Sequence, residues 1–403
     1  MTVAGCRLQA TTPILLQAGV FCNWIKTFLI GYRKSSSLIP AKMKKPISIK
    51  FAIVLLGVFV SAHSRAQVTT PRTASPAAKV SQTIGISTVT IKYSRPSVKG
   101  REVWGKLVPY GWNVQAFGAG NSAPWRAGAN ENTTIEFSHP AKIAGQLVPA
   151  GIYGLFFVIN ADDSGEVILS KDYRSWGSFF YNASQDQLRA KITVRSIPNT
   201  ELLTYDFTNL TKTSGELVLN WEKKQFPVTI EFAVDEIVMA NAAEELKSTT
   251  GFTPFGFSSA ANYALQNNIN LDKGLAWIDQ ALQTSQTFAF RNIKSGILRK
   301  QGKTAEADQI MNEAIANGNE VEINNYGYQL LNQGQNDKAI EVLTINTQRN
   351  PKSANAFDSL GEAYAIKGDK PNAIKNFKKS LTMNPPAATR ANSEKYLQQL
   401  DGK

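Results

Sequence analysis

The chain has 403 residues, 43% of them hydrophobic and 19% charged, a composition that belongs to a globular protein with room for two or three domains. It carries 44 Lys and Arg against 31 Asp and Glu, a formal net charge of +13, which taken whole suggests a nucleic-acid or anionic-membrane partner. Residues 1–66, however, hold nine basic side chains and no acidic one, so the other 337 residues carry 35 basic against 31 acidic. That near balance, with no basic stripe, excludes nucleic acid as an expected partner.

From Met43 the chain reads M-K-K-P-I-S-I-K, then the apolar run Phe51–Val60, then S-A-H-S-R-A-Q. A short positive segment, an apolar core and small residues at Ser64 and Ala66 have the layout of a secretory signal peptide over 43–66, cleaved before Gln67. The apolar run is shorter than the roughly 20 residues of a membrane span, so the mature chain is expected to have no stable span. The alternative is an uncleaved N-terminal anchor. Residues 1–42 lack acidic residues and a clear amphipathic period, and read as an upstream extension from a misassigned start codon.

Cleavage after Ala66 removes Cys6 and Cys22 and with them any disulfide, thiolate nucleophile or Cys-based metal site. The absence of cysteine just after the apolar run also disfavours a lipoprotein anchor. The expected location is the periplasm or the exterior of a bacterial cell envelope.

Residues 67–80 are small, polar and proline-containing, the composition of a flexible tether. Period-two alternation follows. Val89, Ile91 and Tyr93 share one face, as do Leu217, Leu219 and Trp221, and Val228, Ile230 and Phe232. V-P-A-G at 148–151, D-D-S-G at 162–165 and T-S-G at 213–215 separate the strands, and the second of these predicts a hairpin between Ile152–Asn160 and Glu166–Ser170. Short strands without helical period over 81–234 predict an antiparallel β-sandwich or barrel-like domain.

Within it, residues 94–112 and 125–134 crowd Trp, Arg, Lys, Asn, Glu and Gly together without alternation, as a loop that builds a site would. The run Y-S-R-P-S-V-K-G-R-x-x-W-G-x-L-V-P-Y-G, then W-R-x-G-A-N-E-x-T, then G-x-L-V-P-A-G-x-Y-x-L, resembles the bacterial family known as domain of unknown function 2911. The resemblance covers roughly 81–234. It implies export and a β-rich domain, and brings no activity with it. This chain departs by inserting N-V-Q-A-F-G-A-G-N-S-A-P between Trp112 and Trp125, which leaves that loop's geometry open.

After a connecting helix or linker over 235–257 the period becomes helical, and the chain becomes self-similar. Gly302, Gly334 and Gly368 each precede by five residues an alanine, Ala307, Ala339 and Ala373, themselves followed at +4 by Met311, Leu343 and Phe377. In the last unit Phe357, Leu360, Gly361, Tyr364, Ala373, Phe377 and Pro385 resemble the tetratricopeptide repeat. Small Gly361 and Ala373 let two helices approach, Gly368 ends the first helix in the left-handed conformation, and Pro371 opens the next. With Gly274, Ile278 and Ala281 in a weaker first unit, about four helix pairs are expected over 258–388. Residues 389–403 would form a capping helix. A plain all-α bundle is the alternative.

Catalytic equipment is sparse. Only His139 survives cleavage, at a strand end, and it is expected to be structural. No phosphate-binding glycine motif occurs in a strand-to-helix setting, and Asp162–Asp163 reads as a turn rather than a calcium loop. No metal or cofactor is expected.

The candidate ligand-binding residues are Arg95, Lys99, Arg101, Trp104, Trp125, Arg126, Asn130 and Glu131. Arginine grips carboxylate or phosphate bidentately while an indole stacks on an apolar or sugar face. The competing reading is an internal network that fixes the loop to the sheet. W-G-S-F-F-Y at 176–181 is either core or a sugar-stacking strip, and Lys375, Lys378 and Lys379 form a solvated basic face.

Two functions fit. One is an exported non-enzymatic scaffold whose repeats hold a protein or peptide, the β-domain contacting a second ligand or surface such as a glycan or small anion. The other is a carbohydrate-binding or hydrolytic β-domain that uses the Arg/Asn/Glu loop, with the repeats as a docking arm. Arg95, Arg126 and Glu131 paired below the surface would favour the first, and their convergence on an open pocket the second.

Overall fold

The computed structural model describes residues 74–402. The upstream extension, the signal peptide and the tether up to residue 73 lie outside the described residues. Ala77–Val80, expected to end that tether, instead begin the first strand. Alternate residues Ala78 and Val80 pack against the core, so the small polar composition conceals a period of two.

A six-stranded antiparallel sheet takes β1 (Ala77–Ile84), β2 (Ser87–Ser94), β5 (Thr134–Phe137), β8 (Gly151–Ile159), β9 (Ser164–Ser170) and β10 (Asp186–Thr193), in that order. A four-stranded sheet orders β11 (Arg195–Thr208), β12 (Ser214–Glu231), β6 (Ala141–Ile143) and β7 (Gln146–Val148). Between the two lies one core, with Val89, Ile91, Ile135, Phe137, Leu155 and Phe157 from the first sheet meeting Leu203, Tyr205, Leu217, Leu219, Phe226 and Ile230 from the second. The domain is therefore a sandwich, not a barrel.

The inserted twelve residues form a small hairpin of β3 (Asn113–Val114) and β4 (Ser122–Ala123). Ala123 packs with Phe156, Val158, Ile168, Tyr181 and Trp112 in a second cluster. This is why β8 and β9 are buried along both faces, where one solvated face is usual for an antiparallel sheet. At the β8–β9 turn the Asp162 carboxylate accepts from the Ser164 backbone N–H (3.0 Å) and hydroxyl (2.6 Å), and Asp163 pairs with Lys224. Both acids are spent on the turn.

Helix α1 (Val234–Glu245) joins the halves. Its Val234, Ile237 and Val238 belong to the sandwich core, whereas Met239, Ala242 and Ala243 belong to the first core of the repeats. A helix apolar on two sides is buried on two sides, so the expected connection over 235–257 is a packed element followed by the 3-10 turn Thr249–Phe252.

Four helix pairs follow among the described residues: α2 (Pro254–Asn267) with α3 (Leu271–Thr284), α4 (Phe288–Lys300) with α5 (Thr304–Asn317), α6 (Glu320–Asn332) with α7 (Asn336–Arg349), and α8 (Ala354–Lys367) with α9 (Lys370–Leu381). Helix α10 (Ala387–Asp401) closes the stack, its Tyr396 ring stacked on Phe377 at 5.0 Å. Gly302, Gly334 and Gly368 sit at φ of 80°, 73° and 87°, the left-handed turn between the helices of three successive pairs.

Ala307, Ala339 and Ala373 are buried to zero exposure. Opposite them lies a second small-residue series that the sequence pattern left unmarked, Ala264, Ser295 and Gly327, completed by Gly361. A β-carbon on Gly327 would lie 2.6 Å from Leu343 Cδ2, and one on Gly361 would lie 2.9 Å from Phe377 Cδ1. Ser295 instead hydrogen-bonds the Ala307 carbonyl at 3.1 Å.

Candidate functional site

The W-R-A-G-A-N-E-N-T segment folds as a fixed loop. Trp125 exchanges both backbone hydrogen bonds with Phe157 (2.9 Å each), which anchors it on the six-stranded sheet. The Ala127 carbonyl then accepts from the hydroxyls of Tyr205 (3.0 Å) and Thr133 (3.2 Å), both buried. Ala127 and Asn130 have φ of 51° and 62°, conformations that these bonds hold against their intrinsic cost.

Trp125 stacks on Trp221 at 5.8 Å, and Trp104 stands edge-on to both. The Trp104 indole donates to Glu222 Oε2 at 3.1 Å, and Glu222 itself has φ 51° at an irregularity in β12. A strand irregularity thus turns a carboxylate toward an indole.

The eight candidate residues divide. Arg101, Trp125, Arg126 and Asn130 line a pocket of about 400 Å³, together with Trp221 and the insertion residues Asn113 and Gln115. The other four are absent from its lining. Arg95 spends its guanidinium on the Leu203 carbonyl (3.0 Å) and Thr204 hydroxyl (2.6 Å), tying β2 to β11. The Lys99 backbone N–H donates to Glu201 at 2.9 Å, and Trp104 is held in the aromatic cluster. Glu131 is exposed. Arg95 and Arg126 therefore serve different parts of the fold, and Arg95, Arg126 and Glu131 do not converge on the pocket as a set.

Arg126 lies with its guanidinium 5.0 Å above the Phe179 ring, and Nη1 donates to the Asn130 carbonyl at 2.6 Å. Burial lowers its affinity for the proton below that of an ordinary arginine. Among the described residues no carboxylate forms an ion pair with it. Of W-G-S-F-F-Y, Ser178 and Tyr181 are buried and Phe179 supports Arg126, while Trp176 and Phe180 remain exposed. The strip is part core and part surface.

His139 Nδ1 lies 3.0 Å from the Ser138 hydroxyl, which also accepts the Thr88 N–H at 2.7 Å. The pair pins the start of β2. Trp221, Asn113 and Gln115 were not singled out as site residues. Trp221 reads as an ordinary strand residue, and the only signal for the other two is that they lie in an insertion relative to the family pattern.

The repeats carry a second concavity, of about 700 Å³. The first helices of three consecutive pairs supply it: Asn262 and Gln266 from α2, Asn292 from α4 and Gln329 from α6, with Gln333 and Gln335 beyond. Arg299 and Lys300 are its charged residues. Arg299 is engaged by Asp308, which also takes Lys338 at 2.6 Å, and the two cations hold the Asp308 carboxyl below its ordinary range.

Comparison with known proteins agrees with this division. Residues 75–230 match the family described as "Protein of unknown function (DUF2911)". The sandwich is a DUF2911 domain. Residues 354–386, which hold α8 and α9, match the tetratricopeptide repeat family, so the DUF2911 domain is followed by tetratricopeptide repeats.

Cellulose synthase operon protein C of Escherichia coli (strain K12) is 36% identical over 70 residues, 17% of this chain and 6% of that protein. Human Superkiller complex protein 3 is 34% identical over 77 residues, 19% of this chain and 5% of that protein. The chain thus spans a small fraction of the length of the curated relatives it matches.

Among solved structures, YrrB, described as a tetratricopeptide protein with an unusual peptide-binding site, is 18% identical with a TM-score of 0.26, covering 40% of this chain and 84% of its own. A tetratricopeptide repeat protein from Parabacteroides merdae is 18% identical with a TM-score of 0.27, covering 37% of this chain and 60% of its own.

Proposed function

We propose that this protein is an exported, non-enzymatic scaffold whose repeats hold an extended peptide segment of a partner protein, with the DUF2911 domain as a second contact surface. The observation that carries the reading is the row of carboxamides across α2, α4 and α6. A carboxamide offers a donor and an acceptor together, the match to a peptide group, and it does so without demanding a particular side chain. These carboxamides come from different positions of their helices, but they line one concavity across three successive pairs, where an extended chain could meet them in turn. Asn292 already donates to Gln329 across pairs at 2.7 Å, so part of the row is pre-organised. Lys300 at the rim adds a preference for acidic peptides.

Selection of a random peptide library on the full chain tests this. Enriched acidic peptides should bind the wild type and lose about tenfold in affinity with Asn292→Ala and Gln329→Ala combined. Enrichment that survives the double substitution would overturn the groove as the site. Export is supported by the leader over 43–66, and N-terminal sequencing of the protein made in a bacterial host should read from Gln67. Any residue before Met43 in the product would sink the reassigned start.

A further inference from the structure

The pocket in the DUF2911 domain goes beyond the scaffold reading, because its chemistry is that of a small-molecule site. Among the described residues its charged lining is Arg101 and Arg126, and no carboxylate lines it. Arg101 directs its guanidinium back onto the Ser97 and Val98 carbonyls. Arg126 is different. Only its Nη1 has a protein acceptor, leaving Nε and Nη2 without one among the described residues.

A half-buried guanidinium is costly to leave unmatched, and here the fold holds it in place from two sides. Phe179 lies under its plane, and at Gly177 (φ 58°) any β-carbon would sit 2.6 Å from Arg126 Cζ, so the glycine is required for the guanidinium to lie where it does. Asn113 and Gln115 bring neutral polar groups to the same wall, and Trp125, Pro124 and Pro96 form an apolar one. Trp221, 2% exposed, lines the pocket too, and its indole N–H has no acceptor among the described residues. The Asn and Gln carboxamides offer both donors and acceptors, so the unmatched charge in the lining is that of Arg126.

We propose that this pocket binds a small organic anion, a single carboxylate or phosphate group taken by Arg126 with a flat apolar body lying against Trp125. The volume of about 400 Å³ is that of a small-molecule site, and an anion on Nε and Nη2 completes the bidentate geometry that arginine offers.

Tryptophan fluorescence of the full chain tests it with hippurate, phenyl phosphate and the neutral hippuramide. Saturable quenching by at least one anion, with hippuramide about tenfold weaker or worse, is the expected result. The carboxylate and phosphate arms then show which headgroup is preferred. Arg126→Gln should bring the anion down to the hippuramide level, while Arg126→Lys, which keeps the charge but loses the fork, should fall between. The comparison of charged with neutral probes is made on the wild type, so it stands even if a variant folds poorly. Equal quenching by anion and amide, or saturation by neither anion, overturns the proposal. Because the repeats take no part, either outcome leaves the peptide reading to its own test.

Discussion

Gly361 lies so close under the Phe377 ring that a β-carbon on it would sit 2.9 Å from Cδ1 and 3.0 Å from Cε1. The ring has no room to retreat, because Tyr396 of the capping helix stacks on it at 5.0 Å and 14°. Alanine in a helix interior ordinarily stabilises by about 0.5–1 kcal/mol over glycine, but overpacking a filled core costs about 1–3 kcal/mol. Gly361→Ala should therefore destabilise the last repeat and loosen the cap. Phe377→Leu in the same chain should recover part of the loss, an interaction that a double-mutant cycle in urea would read. Additive losses would show that the contact is not the cause.

A similar approach fixes the joint between the halves. A β-carbon on Gly85, in the turn between β1 and β2 at φ 61°, would lie 2.6 Å from Val234 Cγ1 and 2.7 Å from Cγ2. Around it, Lys212 donates to Asn267 at 2.8 Å and Tyr263 donates to Asp235 at 2.8 Å, tying the β11–β12 turn, α1 and α2 together. Gly85→Ala should release the start of α1 and open the 232–253 segment to limited proteolysis without unfolding either core. Unchanged cleavage would mean that the other contacts hold the joint alone.

These contacts also show what the sequence made legible. The repeats were readable because their constraint is local and periodic: a left-handed turn at Gly302, Gly334 and Gly368, and a buried small residue five positions on. The partner series Ala264, Ser295 and Gly327 escaped because three different residue types satisfy one spatial requirement. In the sandwich, alternation located β2 and β12 and the D-D-S-G turn located β8 and β9, but neither signal showed that the inserted hairpin covers β8 and β9, since an outer face buried by a loop looks like any buried strand. For the site, residue type flagged Arg95, Lys99, Arg101 and Arg126 alike. Only the long-range contact of the segment after β2 with β11, where Arg95 reaches Leu203 and Thr204 and Ser97 bridges Leu202, separates the arginine that ties the two sheets from the one that lines the pocket.

Asp358, buried in α8, accepts from Ser393 and, at 2.9 Å, from Asn392 of α10. Burial holds its carboxyl above its ordinary value, against the pull of those two donors, and the charge of Glu362 adds to the rise. With the folded value raised, the native state keeps a proton that the unfolded chain has already lost. The resulting stability is fully present below the unfolded value and is lost as pH rises through the folded one. Thermal melts at about pH 4 and about pH 7 should therefore show wild type losing ground against Asp358→Asn as pH rises. A constant difference between the two would rule out Asp358 as the titrating group.

Glu222 offers the last test, because it separates backbone strain from the hydrogen bond that the strain supports. Its φ of 51° is a conformation that L side chains rarely adopt, yet the residue stays there with Oε2 on the Trp104 indole at 3.1 Å and on the Lys223 N–H at 2.6 Å. Glu222→Gln keeps an acceptor and the same strain, and should be close to neutral in stability. Glu222→Ala keeps the strain but strands the indole N–H, at a cost of about 1–3 kcal/mol. Trp104 touches Trp125 and Trp221 at 5.7 and 5.9 Å, so the alanine variant should also shift the tryptophan emission while the glutamine variant does not. If both variants lost the same stability, the carboxylate charge would be the stabilising feature in place of the indole bond. If neither did, the irregularity in β12 would be set by its strand neighbours alone.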